Sequence, residues 1–205
     1  MLMFSLCQSV LELEAAVQRN ATDPRAWYEL GVKQQENERE HKALQALQRA
    51  VHLDPTYLSA WLALAVSHAN NNNRQGTFDA ISCWVGQNGK HKSAVEKFNA
   101  LHPADFQDTL SQRCSRLIQC LISLVTSDTT GEVDPDIQIA LAILLNTNEE
   151  YDKAQDCFRT ALAVRPDVSG QRMGSVRLID TLLRTGCCTI ELEQLWPTVA
   201  EQSTL

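Results

Sequence analysis

Glycine and proline are scarce, eight and six in 205 residues, and aromatic residues make up only 6%. So few turn formers leave little room for a loop-rich or all-β design and point to a helical chain. No apolar run approaches the ~20 residues needed to cross a bilayer. The apolar start Met1–Cys7 is short, lacks a basic residue and runs into Glu12 and Glu14, which is not the pattern of a secretory leader. Basic blocks are missing too: the net charge is −7 and the pI about 5.2. A nucleic-acid binder needs a basic footprint to release counterions, so none is expected here; an acidic groove would instead favour a peptide carrying Lys or Arg. The seven cysteines are odd in number and show no C-x-x-C or Cys…His ligand spacing, and the five histidines are scattered. Reduced thiols packed as small hydrophobes are expected, with no metal and no cofactor. There is also no Ser/His/Asp order, no Gly-rich phosphate loop and no pair of carboxylates set for acid–base work, so no enzyme is expected.

What the chain does have is a period. Trp27 and Trp61 lie 34 residues apart, the tetratricopeptide spacing. With Trp27 at position 4, Leu30 and Gly31 fall at 7 and 8, Ala43 at 20, Leu47 at 24, Ala50 at 27 and Pro55 at 32. Positions 8 and 20 are where two antiparallel helices cross, so small residues there let them approach. Large residues at 4, 7 and 24 fill the seam, and Pro at 32 stops the second helix. Trp61, Leu64 and Ala65 restart the pattern, followed more loosely by Thr77, Ile81 and Trp84. Leu141, Ala142, Leu145, Ala154, Phe158 and Ala161 repeat it before Pro166. Ser9, Leu13 and Ala16 fit a second helix that has no first. Pro55 and Pro166 are three periods and nine residues apart, so the register fails between them. Helical spacing survives in Leu117, Ile118, Cys120, Leu121 and Leu124, and Ser127–Gly131 reads as a loop.

The fold class expected is all-α, a tetratricopeptide-repeat superhelix of antiparallel helix pairs. The repeat domain covers 5–167: a partial repeat 5–20, repeats 24–57 and 58–91, a degenerate repeat 92–134 and a repeat 135–168. A divergent tail, 168–205, follows, with helical patterns over Arg177–Thr185 and Glu191–Trp196. The edge around Phe158, Leu162 and Val164 is expected to lack a neighbour's cover.

Three segments resemble the receptor for the type 1 peroxisomal targeting signal. They are Ala26–Glu38 (AWYELGVKQQENE), Ala63–Asn70 (ALAVSHAN), and Asp134–Asn146 (DPDIQIALAILLN) with Glu150–Phe158 and Ala161–Pro166. The similarity runs over about residues 8–167 and looks like the repeat domain of that receptor without its last repeats. It implies a cytoplasmic protein that captures C-terminal Ser-Lys-Leu-type peptides of peroxisomal matrix proteins and cycles to docking proteins at the peroxisomal membrane. Asn37 and Glu38 match the family's Asn-Glu at a helix end facing the central channel, and Asn70 and Asn146 stand late in comparable helices. Amides can pin an extended peptide backbone, and a carboxylate adds selectivity for the tripeptide's basic residue. The turn preference of Asn is the competing reading for each, above all in Asn70–Asn73.

Two departures matter. The family's main peptide clamp, with several Asn, a Lys and an Arg, lies in repeats that 168–205 replaces. Its W-x-x-x-F/Y docking motifs have no counterpart, since no Trp here has Phe or Tyr four residues on. The alternative is a repeat scaffold that joins proteins without reading a tripeptide. A chaperone-tail clamp would place Lys at position 5 and Asn at position 9, where Tyr28, Val32, Leu62 and Val66 stand instead. Ser203-Thr204-Leu205 lacks the basic middle residue of the targeting tripeptide and is read as coincidence.

Overall fold

The computed structural model describes residues 2–103, 105, 107–127 and 133–164. The expected tail helices, the Ser127–Gly131 loop beyond Ser127, and Cys187 and Cys188 lie outside the described residues. All regular structure among the described residues is helical: α1 (Leu2–Arg19), α2 (Pro24–Glu36), α3 (Glu40–Leu53), α4 (Leu58–Asn70), α5 (Arg74–Gln87), α6 (Lys92–Leu101), α7 (Leu110–Ser127), α8 (Pro135–Thr147) and α9 (Tyr151–Val164). Asp-Pro pairs start two of them. Asp23 accepts the Arg25 N–H at 2.9 Å and Asp134 accepts the Asp136 N–H at 3.0 Å. In each case Pro follows at the first helical position, where its missing N–H costs nothing.

The helices pair as α2/α3, α4/α5 and α8/α9. Small residues permit each crossing: a Cβ built on Gly31 would stand 2.6 Å from Leu47 Cγ. Ala43 and Thr77 are fully buried, Ala154 nearly so, and Leu47, Ile81 and Phe158 fill the layer between the helices. The tryptophans repeat one hydrogen bond at one offset. Trp27 Nε1 donates to the Ala21 carbonyl at 2.9 Å and Trp61 Nε1 to the Pro55 carbonyl at 2.8 Å. The period is thus a repeat of packing and of polar contacts as well as of letters.

α1 packs on α2 through Val10, Leu13 and Val17. Its Ser9, Leu13 and Ala16 are half-buried, while the equivalent Ala43, Leu47 and Ala50 are sealed.

In the middle the stack departs from simple succession. α8 lies against α4 and α5 as well as α7 and α9, so Ile137 to Leu145 are all buried. That surrounds the helix, which suits a sequence apolar on every side, IQIALAILL. Both ends of α8 are fastened, the first to the turn between α5 and α6 and the second to the start of α5. Asp134 Oδ2 accepts from Lys90 Nζ at 2.8 Å and from His91 Nε2 at 3.3 Å, while Arg74 donates to Asn148 Oδ1 at 3.2 Å. α6 and α7 form a hairpin beside this joint. α7 buries Ile118, Cys120, Leu121 and Leu124; α6 buries Phe98 and leaves Leu101 exposed.

Phe158 differs from expectation. It is 2% exposed, because α8 covers it within its own pair; of the three residues named only Val164 is exposed, with Leu162 half-buried. Among the cysteines, Cys114 and Cys120 are buried, Cys157 is half-buried and Cys83 is exposed.

Candidate functional site

Helices α2, α4 and α8 end alike. After α2, the Glu38 N–H bonds to the Gln35 carbonyl and the Arg39 N–H to the Gln34 carbonyl, at 3.0 and 2.9 Å. After α4, Asn72 and Asn73 repeat those bonds to Ala69 and His68; after α8, Glu149 and Glu150 repeat them to Asn146 and Leu145. This is a Schellman termination, which needs a left-handed residue just past the helix. Glu38, Asn72 and Glu149 supply it with φ of 58°, 53° and 66°, where glycine is the usual choice.

Cross-links set the three ends on one edge of the stack. Gln35 Nε2 donates to Ser67 Oγ at 2.7 Å and to the Ala63 carbonyl at 2.9 Å, joining α2 to α4. Asn70 Nδ2 donates to Glu40 Oε1 at 3.0 Å, joining the end of α4 to the start of α3. Arg74, just beyond α4, reaches Asn148 at the end of α8. Gln35 Oε1, Glu40 Oε2 and Asn70 Oδ1 are buried acceptors without a hydrogen-bond partner among the described residues. Inside the seam, then, acceptors outnumber the donors that reach them.

The four residues singled out from sequence sit differently in it. Asn37 caps α2, half-buried, and its amide makes no side-chain hydrogen bond among the described residues. Glu38 is exposed at the left-handed position. Asn70 is half-buried and committed to Glu40. Asn146, half-buried, is two residues before the α8 cap Asn148, and its side chain makes no hydrogen bond among the described residues. In the 34-residue register the three asparagines Asn37, Asn70 and Asn146 occupy positions 14, 13 and 12 rather than one, Asn37 being matched by Asn71 and Asn148. Sequence reasoning missed Gln35, Glu40 and Ser67. Gln35 shares the register position of Asn146, which was the available signal.

One titrating group flanks the seam. Burial pushes the His68 imidazole below its ordinary value, against the opposing pull of Asp79. The neutral ring lies 3.2 Å from Asn73 Nδ2, whose amide donates to Nδ1, and Asn73 Oδ1 caps α5 by accepting the Gly76 N–H at 2.9 Å.

No family model matches the chain. It is 36% identical over 163 residues to a peroxisomal targeting signal receptor of Yarrowia lipolytica, covering 79% of this chain and 27% of that protein. It is 38% identical over 162 residues to the receptor of the same name from Eremothecium gossypii, with coverage of 79% and 27%. To the PEX5-related protein of Homo sapiens it is 35% identical over 162 residues, 78% of this chain and 26% of that one. Among solved structures, MamA aligns with a TM-score of 0.46 at 14% identity, over 79% of this chain and 90% of that one. Spanning about a quarter of the length of the curated relatives it matches, the chain is homologous to that part of the peroxisomal targeting signal receptors.

Proposed function

We propose that the chain is a peptide-binding segment of a peroxisomal import receptor. It takes the C-terminal Ser-Lys-Leu-type tripeptide of matrix proteins in the cytosol, for delivery to docking proteins at the peroxisomal membrane, and it acts by binding alone. The observation that carries this reading is the kinship to proteins named for the targeting signal, over 79% of this chain.

The chemistry of that edge supports it. Asn37 and Asn146 offer amides with two donors and an acceptor each to an extended backbone. Glu38 offers a carboxylate to the tripeptide's basic residue. Asn70 acts by holding the edge together, because its amide donates to Glu40 and its oxygen is buried. The clamp residues that the family resemblance places in later repeats have no counterpart before residue 168, so affinity of this chain alone is expected to be weaker than about micromolar, a free energy near −8 kcal/mol.

A photo-crosslinking peptide tests both parts. A benzophenone placed just before a C-terminal Ser-Lys-Leu should label α2, α4 and α8 near their C-termini, and free Ser-Lys-Leu peptide should compete. Labelling spread over α3, α5 and α9, or equal competition by a Ser-Glu-Leu peptide, would refute the tripeptide reading in favour of a plain scaffold. Micromolar or tighter binding in a titration would refute the weak-affinity part alone.

A further inference from the structure

Between α5, α6 and α7 the surface opens into a hollow of about 220 Å³, and none of the residues lining it belongs to the edge formed by the ends of α2, α4 and α8. Three helical faces converge there. α5 brings Phe78 and Val85, α6 brings Val95 and Phe98, and α7 brings Leu117 with the guanidinium groups of Arg113 and Arg116. Arg113 Cζ stands over the Phe78 ring, 4.6 Å from its centroid, and Arg116 Nη1 donates to the His102 carbonyl at 3.0 Å. Neither arginine meets a carboxylate in the ion pairs of the described residues. The acidic residue beside Phe78 on α5, Asp79, accepts from Gln75 at 2.8 Å instead. In a chain of net charge −7, two forked cations thus border an apolar floor without an anion of their own. A guanidinium held on an aromatic face keeps its donors for a planar carboxylate.

Size and surroundings narrow the ligand. About 220 Å³ is less than the roughly 300–1,000 Å³ of a pocket that encloses a small molecule, and it suits one large side chain. Leu101, three residues beyond Phe98 on α6, is 77% exposed, the highest value among the large apolar residues described. Residues three apart on a helix are neighbours, so the apolar surface continues outside the hollow. A ligand that covers both is a stretch of chain. We propose that the α5/α6/α7 face docks an acidic segment of a partner protein, with one bulky apolar side chain in the hollow and carboxylates before and after it on Arg113 and Arg116. This contact does not rest on the tripeptide reading. It needs no free carboxyl terminus and leaves the α2/α4/α8 edge open, so both surfaces can be occupied together.

Fluorescence anisotropy of the full chain with a labelled, C-terminally amidated peptide, Gly-Asp-Glu-Phe-Glu-Asp-Gly, tests this. The peptide should bind with a dissociation constant on the order of 100 µM or tighter, and binding should weaken as salt rises. Excess Ser-Lys-Leu peptide should not displace it. Exchanging its Phe for Ala, or its acidic residues for Lys, should abolish binding. Arg113→Glu should weaken binding roughly tenfold. Gly86→Phe fills the hollow from its rim. A Cβ at Gly86 meets nothing within 4 Å, so that variant should keep its helices by circular dichroism and lose the peptide. No binding to the unmodified chain, equal binding of the Ala or Lys peptide, or affinity indifferent to both variants would overturn the proposal. Displacement by Ser-Lys-Leu peptide would also overturn it, placing the acidic peptide on the tripeptide's surface.

Discussion

Set the α2/α3 and α4/α5 pairs beside the α6/α7 hairpin, and the difference lies in what fills the space between two helices. In the regular pairs a glycine or a small residue meets a large one at close range, and Leu47 and Ile81 are wholly buried. In the hairpin there is no such complement, so α6 and α7 stand off from α5 around a hollow of about 220 Å³ with two arginines at it. The 34-residue period is therefore a statement about distance of approach. Where it lapses the chain still makes helices, since apolar spacing alone suffices for that, but they do not close. α8 resumes the period and packs on α5, pinned at both ends by Asp134 and Asn148.

The sharpest way to break this comparison is to truncate one leucine on each side of it. Leu47→Ala, in a sealed layer, should cost about 3 kcal/mol of stability by urea denaturation, whereas Leu117→Ala, half-buried beside the hollow, should cost about 1 kcal/mol. Equal losses would mean that the hairpin is packed as tightly as the pairs. Glycines give the next contrast, with opposite signs. Gly31→Ala drives a Cβ to within 2.8 Å of both Leu47 Cγ and Leu47 Cδ2 and should destabilise by about 1–3 kcal/mol. Gly86→Ala, in the last turn of α5 and open to solvent, should stabilise by about 0.5–1 kcal/mol. A destabilised Gly86→Ala would contradict the open hollow.

The joint that seats α8 is the next point of attack. Burial by itself raises the Asp134 carboxyl, but hydrogen bonds from Lys90, the Asp136 N–H and His91 outweigh it and leave the group below its ordinary value. A depressed folded value means stability that is complete above the unfolded pKa and lost as pH falls through the folded one. Asp134→Asn should therefore cost about 1–2 kcal/mol near neutral pH, with the gap to the unmodified chain closing below about pH 4. A gap independent of pH would leave Asp134 as a helix cap alone.

Legibility in the sequence followed the same division. Trp27, Gly31, Ala43 and Leu47 could be read because each position is dictated by one helix crossing another, and only certain sizes fit. That α8 would pack on α5 was not readable. It depends on Asp134 meeting Lys90 and His91, and Arg74 meeting Asn148, contacts across 43 to 74 residues with no period to announce them. The candidate edge was legible in part. An Asn late in a helix marks where that helix ends, yet what its amide bonds turns on a single residue of register. Asn37 is a cap with a free amide, while Asn70, one position earlier in its repeat, is spent on Glu40.

The left-handed residues offer the smallest effect and the most discriminating one. Glu38 at φ 58° and Glu149 at φ 66° hold the same Schellman position at the ends of α2 and α8. A Cβ there costs energy that glycine avoids, so Glu38→Gly and Glu149→Gly should each stabilise the chain by about 1 kcal/mol. If conformation were the only business of these residues, the two substitutions would behave alike in every assay. Under the proposed function they diverge. Glu38→Gly removes the carboxylate assigned to the peptide's basic residue, and crosslinking to a Ser-Lys-Leu peptide should fall severalfold while thermal stability rises; Glu149→Gly should gain stability with crosslinking unchanged. Parallel behaviour of the two variants would strip Glu38 of that role and leave it a turn residue.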